Sequence, residues 1–360
     1  MDRLDISTKI LLALQCVEEL SNKKKLALLD CFDDVEELVE QCNTPQIIKM
    51  LGADKAKEFY DCYDKVDRTI NELEKREIHW ITCMDSEYPQ NLLELYDKPI
   101  MLFVKGNIDT LNMRCISVVG TRRPTRYGSK VAEEFSREFA RAGLCVVSGF
   151  ARGIDGIAHK ACIDNGSPTI AVFAGGLDVI YPAEHRGLLD GILANGGAIV
   201  SEYPLGTKPL QYHFPERNRI VSGLSEAIFL PQAAKKSGSL ITMRLAIEQG
   251  KEIFVVPGNI YDEESEGGNE LLREMPHALA IKPEDVLDAL HLAREVVNKE
   301  PIELSLVENQ ILEALKDGEK HFEELLQQTE LNVGELTNVL FELEIEGLIS
   351  KISGNYYVLA

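Results

Sequence analysis

Three arginines, Arg122, Arg123 and Arg126, crowd into the segment SVVGTRRPTRYG, residues 117–128. Its first half reads as a buried strand running into a glycine turn. A dinucleotide-binding fold would continue with more glycines, so that the backbone could press against a pyrophosphate. Here positive charge follows instead. Comparable residues end the later apolar runs. The first run delivers Gly120, Thr121, Arg122 and Arg123, and the second delivers Ser148, Gly149, Arg152 and Gly153. The third ends in Ala174, Gly175, Gly176 and Asp178, and the fourth in Glu202. After the fourth comes KPLQYHFPERNR, with Lys208, Phe214, Arg217, Asn218 and Arg219. The fifth leads to KKSGS, with Lys235, Lys236, Ser237, Gly238 and Ser239. Gathering arginines from separate loops costs like-charge repulsion, and an anionic partner removes that cost.

The elements that must position these residues are legible from Arg114 onward. Strands read at CISVVG, LCVVSG, TIAVFAG, AIVSE, EAIFLPQ and EIFVVPG, with amphipathic helical stretches between them. The strands are continuous apolar runs, as expected when both sheet faces are covered. Glycines 143, 166, 196 and 250 close helices as left-handed caps. This alternation predicts right-handed crossovers and an α/β, doubly wound, extended Rossmann-like parallel sheet. Such a sheet binds ligands outside the carboxyl ends of its strands, where the unusual residues fall. Helix starts after each turn add unpaired amides and a positive dipole end.

Several anions could fit. A dinucleotide would call for a carboxylate at the tip of the second strand, and VVSGFARG has none. Asp155 comes later and reads as a helix N-cap. A nucleotide- or nucleoside-hydrolysing enzyme could use Asp178 or Glu202, but neither has an evident paired acid or metal ligand. A polymeric phosphate chain explains more, because cations spread along a rim suit successive phosphates. Single strands also need aromatic faces for stacking, and Phe214, Tyr127 and Tyr181 are candidates, each equally suited to packing.

The chain of 360 residues carries a net charge of −21, which taken whole argues against nucleic acid. The distribution argues otherwise. Residues 110–259 hold 17 Lys+Arg and 13 Asp+Glu, leaving 21 basic and 46 acidic residues elsewhere. A binding footprint is local, so the basic island counts. No run of 18 or more apolar residues suggests a membrane span. The N-terminus reads as a helix rather than a signal peptide. Eight scattered cysteines, among them Cys31, Cys42, Cys115, Cys145 and Cys162, form no CxxC pair. They suggest reduced core thiols in a cytoplasm, with no metal site and no cofactor.

Three domains are expected. Residues 1–77 form a small helical domain, SAM/HhH-like, in which MLGADKAKEF faintly suggests a helix–hairpin–helix turn but the acidic bias favours an interaction bundle. Residues 78–290 form the sheet domain, its first 33 residues a connecting stretch with short strand-like runs. After a charged linker, residues 301–360 read helix, helix, helix, hairpin: a winged helix. That segment has three lysines and no arginine against 12 acids, so protein rather than duplex DNA is its expected contact.

The motifs VVGTRRPTRYG, VVSGFARGIDGIAHKAC, TIAVFAGGLDVIYP, FPERNRIVSGLS, KKSGSLITMRLAIEQG and VVPGNI resemble the DNA-processing protein family, DprA (also called Smf). The resemblance implies a non-enzymatic protein of natural transformation. It would bind and protect incoming single-stranded DNA, help load the RecA recombinase, and form a homodimer through its sheet domain. Carried over by motif, DNA contacts fall on Arg122 and Arg123, on Ser148, Gly149 and Arg152, on Phe214 to Arg219, and on Ser237 to Ser239. The chain departs from the family pattern at His185, at Pro231 and Gln232, and at Met275–Pro276, the last near the surface implied in dimer and recombinase contacts.

Overall fold

The computed structural model describes residues 6–17, 20–30, 45–292, 305–316, 318–329, 331–345 and 347–359. Cys31, Cys42 and the charged run 293–304 lie outside them. The chain divides into two compact units, Met1–Ala293 and Arg294–Ala360.

The first unit is built on an eight-stranded sheet. Its strands are β1 (His79–Thr82), β2 (Met101–Gly106), β3 (Cys115–Val118), β4 (Cys145–Ser148), β5 (Thr169–Val172), β6 (Ala198–Ser201), β7 (Ala227–Leu230) and β8 (Glu252–Val255). They lie in the order β1-β2-β6-β5-β4-β3-β7-β8. The six strands β3 to β8 pair in parallel, as the buried apolar runs predict. The stretch read as a connector contributes two more. β2 runs antiparallel to β6, with Phe103 opposite Ser201, and β1 antiparallel to β2. The apolar run Met101–Val104 is buried throughout, which explains why it joins the sheet. The chain steps outward from β3 through β6, then crosses back to β7 and β8. The crossing makes the β3/β7 boundary the switch point, where loops part to leave a crevice.

Alternate residues of each strand feed opposite faces. Ile116, Val118, Val146 and Phe229 pack under the helices Arg126–Arg141 and Ile154–Asp164, where Phe135 stacks on Phe229 at 4.5 Å. Cys145, Val147, Ile228 and Leu230 face Ile220 and Met243 of the helices His213–Gly223 and Ser239–Glu248. Cys115, Cys145 and Cys162 are buried within this packing. Near the β2/β6 end, Phe103 and Ile199 share a core with Ile10, Leu11, Leu14, Phe59, Ile70 and Leu73. Those residues come from the helices Ile6–Cys16, Ala53–Tyr63 and Val66–Lys75, so the N-terminal helices are packed onto the sheet itself. Gly52 (φ 88°) separates Pro45–Leu51 from Ala53–Tyr63.

A polar joint pins this contact. Gln15 donates through Nε2 to the Glu202 carbonyl (2.5 Å) and Asn22 through Nδ2 to its carboxylate (2.7 Å). Lys25, also buried, donates to Gln15 Oε1 (3.1 Å). Burial pulls the Lys25 amine down to about 8, with the Glu202 carboxylate pulling the other way.

The second unit carries helices Leu306–Lys316, Phe322–Thr329 and Val333–Ile345. Its three-stranded sheet consists of β9 (Lys320–His321), β10 (Ile349–Ile352) and β11 (Tyr356–Leu359) in the order β10-β11-β9. Ile311, Leu315, Leu325, Leu340 and Tyr357 form its core. The helix Val333–Ile345 exposes Glu335, Phe341, Glu342 and Glu344 and has no basic residue.

The amine of Lys25 is more acidic folded than in the unfolded chain, where it titrates near 10.5. The cost of burying its charge is therefore fully present below about pH 8 and fades as pH rises toward 10.5. Lys25→Met should raise the urea midpoint at pH 7, with an advantage over wild type that shrinks between pH 8 and 10.5; a pH-independent difference would contradict this.

Candidate nucleic-acid interface

The turn after β3 is held from below. Gly120 has no room for a side chain, since a Cβ would lie 2.5 Å from Ile154 Cγ1 and 2.9 Å from the Gln232 carbonyl. Thr121 is buried. Its amide donates to the Gln232 carbonyl (2.9 Å), its hydroxyl to Glu264 Oε2 (2.5 Å), and its carbonyl accepts from Ile154 N. Gly153 (φ 76°) packs directly against Thr121 and Arg122. A rigid base thus presents Arg122 and Arg123 to solvent.

The helix start beyond this turn is the usual pyrophosphate seat of a dinucleotide fold, and here it is filled. Gln232 Oε1 accepts from Thr125 N (2.9 Å) and lies 2.1 Å from where a Gly128 Cβ would be. Gln232 Nε2 reaches Thr125 Oγ1, Asp262 Oδ2 and Ser265 Oγ at 3.0–3.2 Å. Thr125 Oγ1 caps the Gly128 amide (3.2 Å). The Thr125 and Gly128 amides at this helix start therefore already have partners from the chain.

The open part of the edge lies over β4 and β5. Phe150, Phe173, Val179, Tyr181, Pro209 and Phe214 line a shallow cleft floored by Gly149 and Gly175. Phe214 is half-buried, with the Arg122 guanidinium 5.4 Å from its ring centroid and Tyr181 meeting it edge-on at 5.9 Å. A cation over one ring, with a second aromatic beside it, offers both a charge for phosphate and a face for a base. His185 packs its ring edge on Phe150 at 5.2 Å, with Nδ1 3.2 Å from the Phe150 carbonyl. Tyr127 is instead tied through its hydroxyl to the Pro257 carbonyl (2.8 Å).

The sequence expectation treats Arg217 and Arg219 as phosphate contacts, and the structure corrects it: neither guanidinium faces solvent. Arg217 is 4% exposed and donates through Nη1 to the carbonyls of Gly149 and Val172. Burial pulls it down to about 10, opposed by the nearby Asp155 carboxylate. Arg219, two positions on and so roughly 200° around the helix, is 7% exposed and pairs with Glu202 (2.5 Å) and Asp97 (3.1 Å). Asp155, expected from the sequence as the N-cap, does not cap its helix; Gly153 occupies the cap position. The Asp155 carboxylate accepts from Ala151 N (3.2 Å) and faces Arg217, with burial raising its pKa. Ser148 is also turned inward, donating to the Val118 carbonyl (2.7 Å).

The remaining candidates divide by what already neutralises them. Arg152 is exposed but held by a two-pronged pair with Glu184, Nε–Oε1 2.5 Å and Nη2–Oε2 2.8 Å. Lys235 pairs with Glu266 and Glu270. Arg122, Arg123, Lys208 and Lys236 are exposed and have no ion pair among the described residues. Gly238 is exposed, Ser237 and Ser239 bond to each other (2.7 Å), and Asn218 accepts from Arg217 Nε (3.3 Å). From the β6 loop to the β7 loop the unpaired cations extend over four strand spacings, roughly 19 Å. Glu184, Glu264, Asp97 and the seat of Gln232 escaped the sequence reading; only Gln232 was marked there, as a departure from a pattern.

The family described as DNA recombination-mediator protein A matches residues 79–291, and the DprA winged helix domain matches residues 298–355. The DNA processing protein DprA of Bacillus subtilis (strain 168) is 42% identical over 234 residues, 65% of this chain and 78% of its own. The X-ray structure of DprA from Streptococcus pneumoniae superposes with a TM-score of 0.66 at 36% identity, covering 77% of this chain and 95% of that one. DprA from Helicobacter pylori, solved to describe its single-stranded DNA binding mode, gives a TM-score of 0.54 at 33% identity, covering 59% and 96%. With the match to residues 79–291 spanning more than half of its length, the chain belongs to the DNA recombination-mediator protein A family.

Proposed function

We propose that this protein binds single-stranded DNA along the carboxyl edge of its sheet and passes the strand to the RecA recombinase during natural transformation. The observation that carries the reading is the group at the cleft: Arg122 over Phe214, with Tyr181 beside it and Arg123, Lys208 and Lys236 exposed along the same edge without ion pairs among the described residues. Successive cations suit a polyanion, and aromatic faces suit unpaired bases of any sequence. The H. pylori relative, described as binding single-stranded DNA, supports carrying that property to this chain. Binding without covalent chemistry fits the acids. Glu202 is consumed by Arg219 and Asn22, and Asp178 Oδ1 accepts the Gly206 amide (2.8 Å). The acidic face of the helix Val333–Ile345 favours a protein contact over duplex DNA.

Homodimerisation through the sheet unit belongs to the same proposal. Val255 of the edge strand β8 bridges to Leu279, and Leu279 and Ile281 are exposed, 48% and 66%. Exposed apolar side chains beside a sheet edge are a natural self-association surface.

Anisotropy with an unstructured oligonucleotide tests the first part. If Arg122, Arg123, Lys208 and Lys236 each meet a phosphate, log K should fall with log salt at a slope of about −3. Arg122→Ala should remove most binding while keeping the thermal midpoint, and Phe214→Ala should cost about 1–3 kcal/mol. Arg217→Ala should instead destabilise the fold, because it leaves buried carbonyls and the Asp155 carboxylate unpaired, by about 3–5 kcal/mol. Salt-insensitive binding, or an unaffected Arg122→Ala, would sink the reading. For the dimer, light scattering should give twice the chain mass for wild type and a single chain mass for Ile281→Glu; a monomeric wild type removes that part.

A further inference from the structure

Arg152 lies exposed on the loop after β4, yet its fork is already filled by Glu184. Its loop, residues 149–153, touches both parts of the proposed interface: Phe150 lines the cleft, and Gly153 packs on Thr121 and Arg122. The segment lying against this loop is Tyr181–His185. It contributes Tyr181 beside Phe214, Glu184 on Arg152, and His185 on Phe150. Both members of the Arg152–Glu184 pair are more than half exposed, 57% and 54%, so the pair can open without unpacking the core. A carboxylate and a phosphate offer a guanidinium the same pair of oxygens in the same plane. An exposed pair of this kind is held weakly, since water and salt screen it.

We propose that Glu184 sets the strength and selectivity of strand binding by competing with phosphate for Arg152. Resting on the single-stranded DNA reading, the inference adds a residue that opposes it. In the unbound protein the Glu184 carboxylate occupies the Arg152 fork. A phosphate reaching Arg152 must displace it, and the freed carboxylate then lies beside the strand. The net electrostatic gain at this position is therefore near zero for an isolated phosphate. It becomes useful only to a chain already anchored at Arg122 and Phe214, whose next phosphate is held at high local concentration. Short nucleotides are thereby disfavoured relative to polymers, without loss of the cation itself.

The experiment is anisotropy on the full chain with a 20-nucleotide oligothymidylate and, as competitor, thymidine monophosphate, comparing wild type, Glu184→Gln, and the neutral pair Arg152→Gln with Glu184→Gln. None of these exposed positions carries the core, and thermal midpoints check that. The proposal expects Glu184→Gln to bind about fivefold tighter, the factor corresponding to release of one exposed ion pair, with the salt slope steeper by about 0.7. It expects the mononucleotide to compete measurably only against that variant, and the neutral pair to bind within about twofold of wild type. An unchanged Glu184→Gln overturns it. So does a neutral pair as tight as Glu184→Gln, which would make the gain a general effect of removing an acid. A neutral pair much weaker than wild type also overturns it, since Arg152 would then engage the strand unopposed. A wild type that binds no oligonucleotide, and is unaltered by Arg122→Ala, would instead remove the underlying reading.

Discussion

Arg217 is the fastening on which the cationic carboxyl edge of the sheet depends. The carboxyl ends of parallel strands diverge as the sheet twists, and the carbonyl groups there lose their ladder partners. One guanidinium takes the carbonyls of both Gly149 and Val172, from the ends of two neighbouring strands, and faces the Asp155 carboxylate. The absence of a side chain at Gly149 makes this possible, because a Cβ would meet Arg217 Nη2 at 2.7 Å. A buried charge persists only when it is paired and hydrogen-bonded. Meeting that condition fixes the helix His213–Gly223 over the strand ends, and with it Phe214, one turn before Arg217. The half-buried ring of Phe214 is held in place by a buried cation.

The same helix is fastened on its other side. Arg219 joins Glu202 and Asp97, and Glu202 in turn receives Asn22 and, through its carbonyl, Gln15. The N-terminal helices are thus connected, through two buried polar groups, to the helix that carries the cleft. Lys25 adds a charge to this joint at the cost of its own hydration, which lowers its affinity for a proton. Apolar packing through Phe103, Ile199 and Leu73 supplies the non-directional part of the contact, and the polar groups supply its register.

Charge along the edge is sorted as well as gathered. The turn that resembles a dinucleotide site is closed by Gln232, whose neutral side chain takes the Thr125 amide and hydroxyl while the arginines stay outward. Acids then divide the cations. Glu184 and the Glu266–Glu270 pair take Arg152 and Lys235, while Arg122, Arg123, Lys208 and Lys236 remain without ion pairs among the described residues. A strongly acidic chain, −21 overall, can in this way present a positive edge, because screening confines each charge to its neighbourhood.

The sequence alone determined the strands β3 to β8, the helices between them and the winged-helix order. Those features rest on local periodicity, on glycine caps and on continuous apolar runs, all of which act within a dozen residues. It also placed the unusual residues at strand ends, since a doubly wound sheet leaves few other places for them. It left β1 and β2 as a connector, because their partners lie far along the chain and short apolar runs do not announce pairing. Which arginines face solvent was decided only by the tertiary structure. Arg122, Arg217 and Arg219 have the same side chain, but burial depends on where the helix phase and the sheet twist aim each one. Partners such as Glu184, Gln232 and Asp97 come from 32 to 122 residues away in this chain, and no local pattern encodes an encounter between groups brought together by the fold.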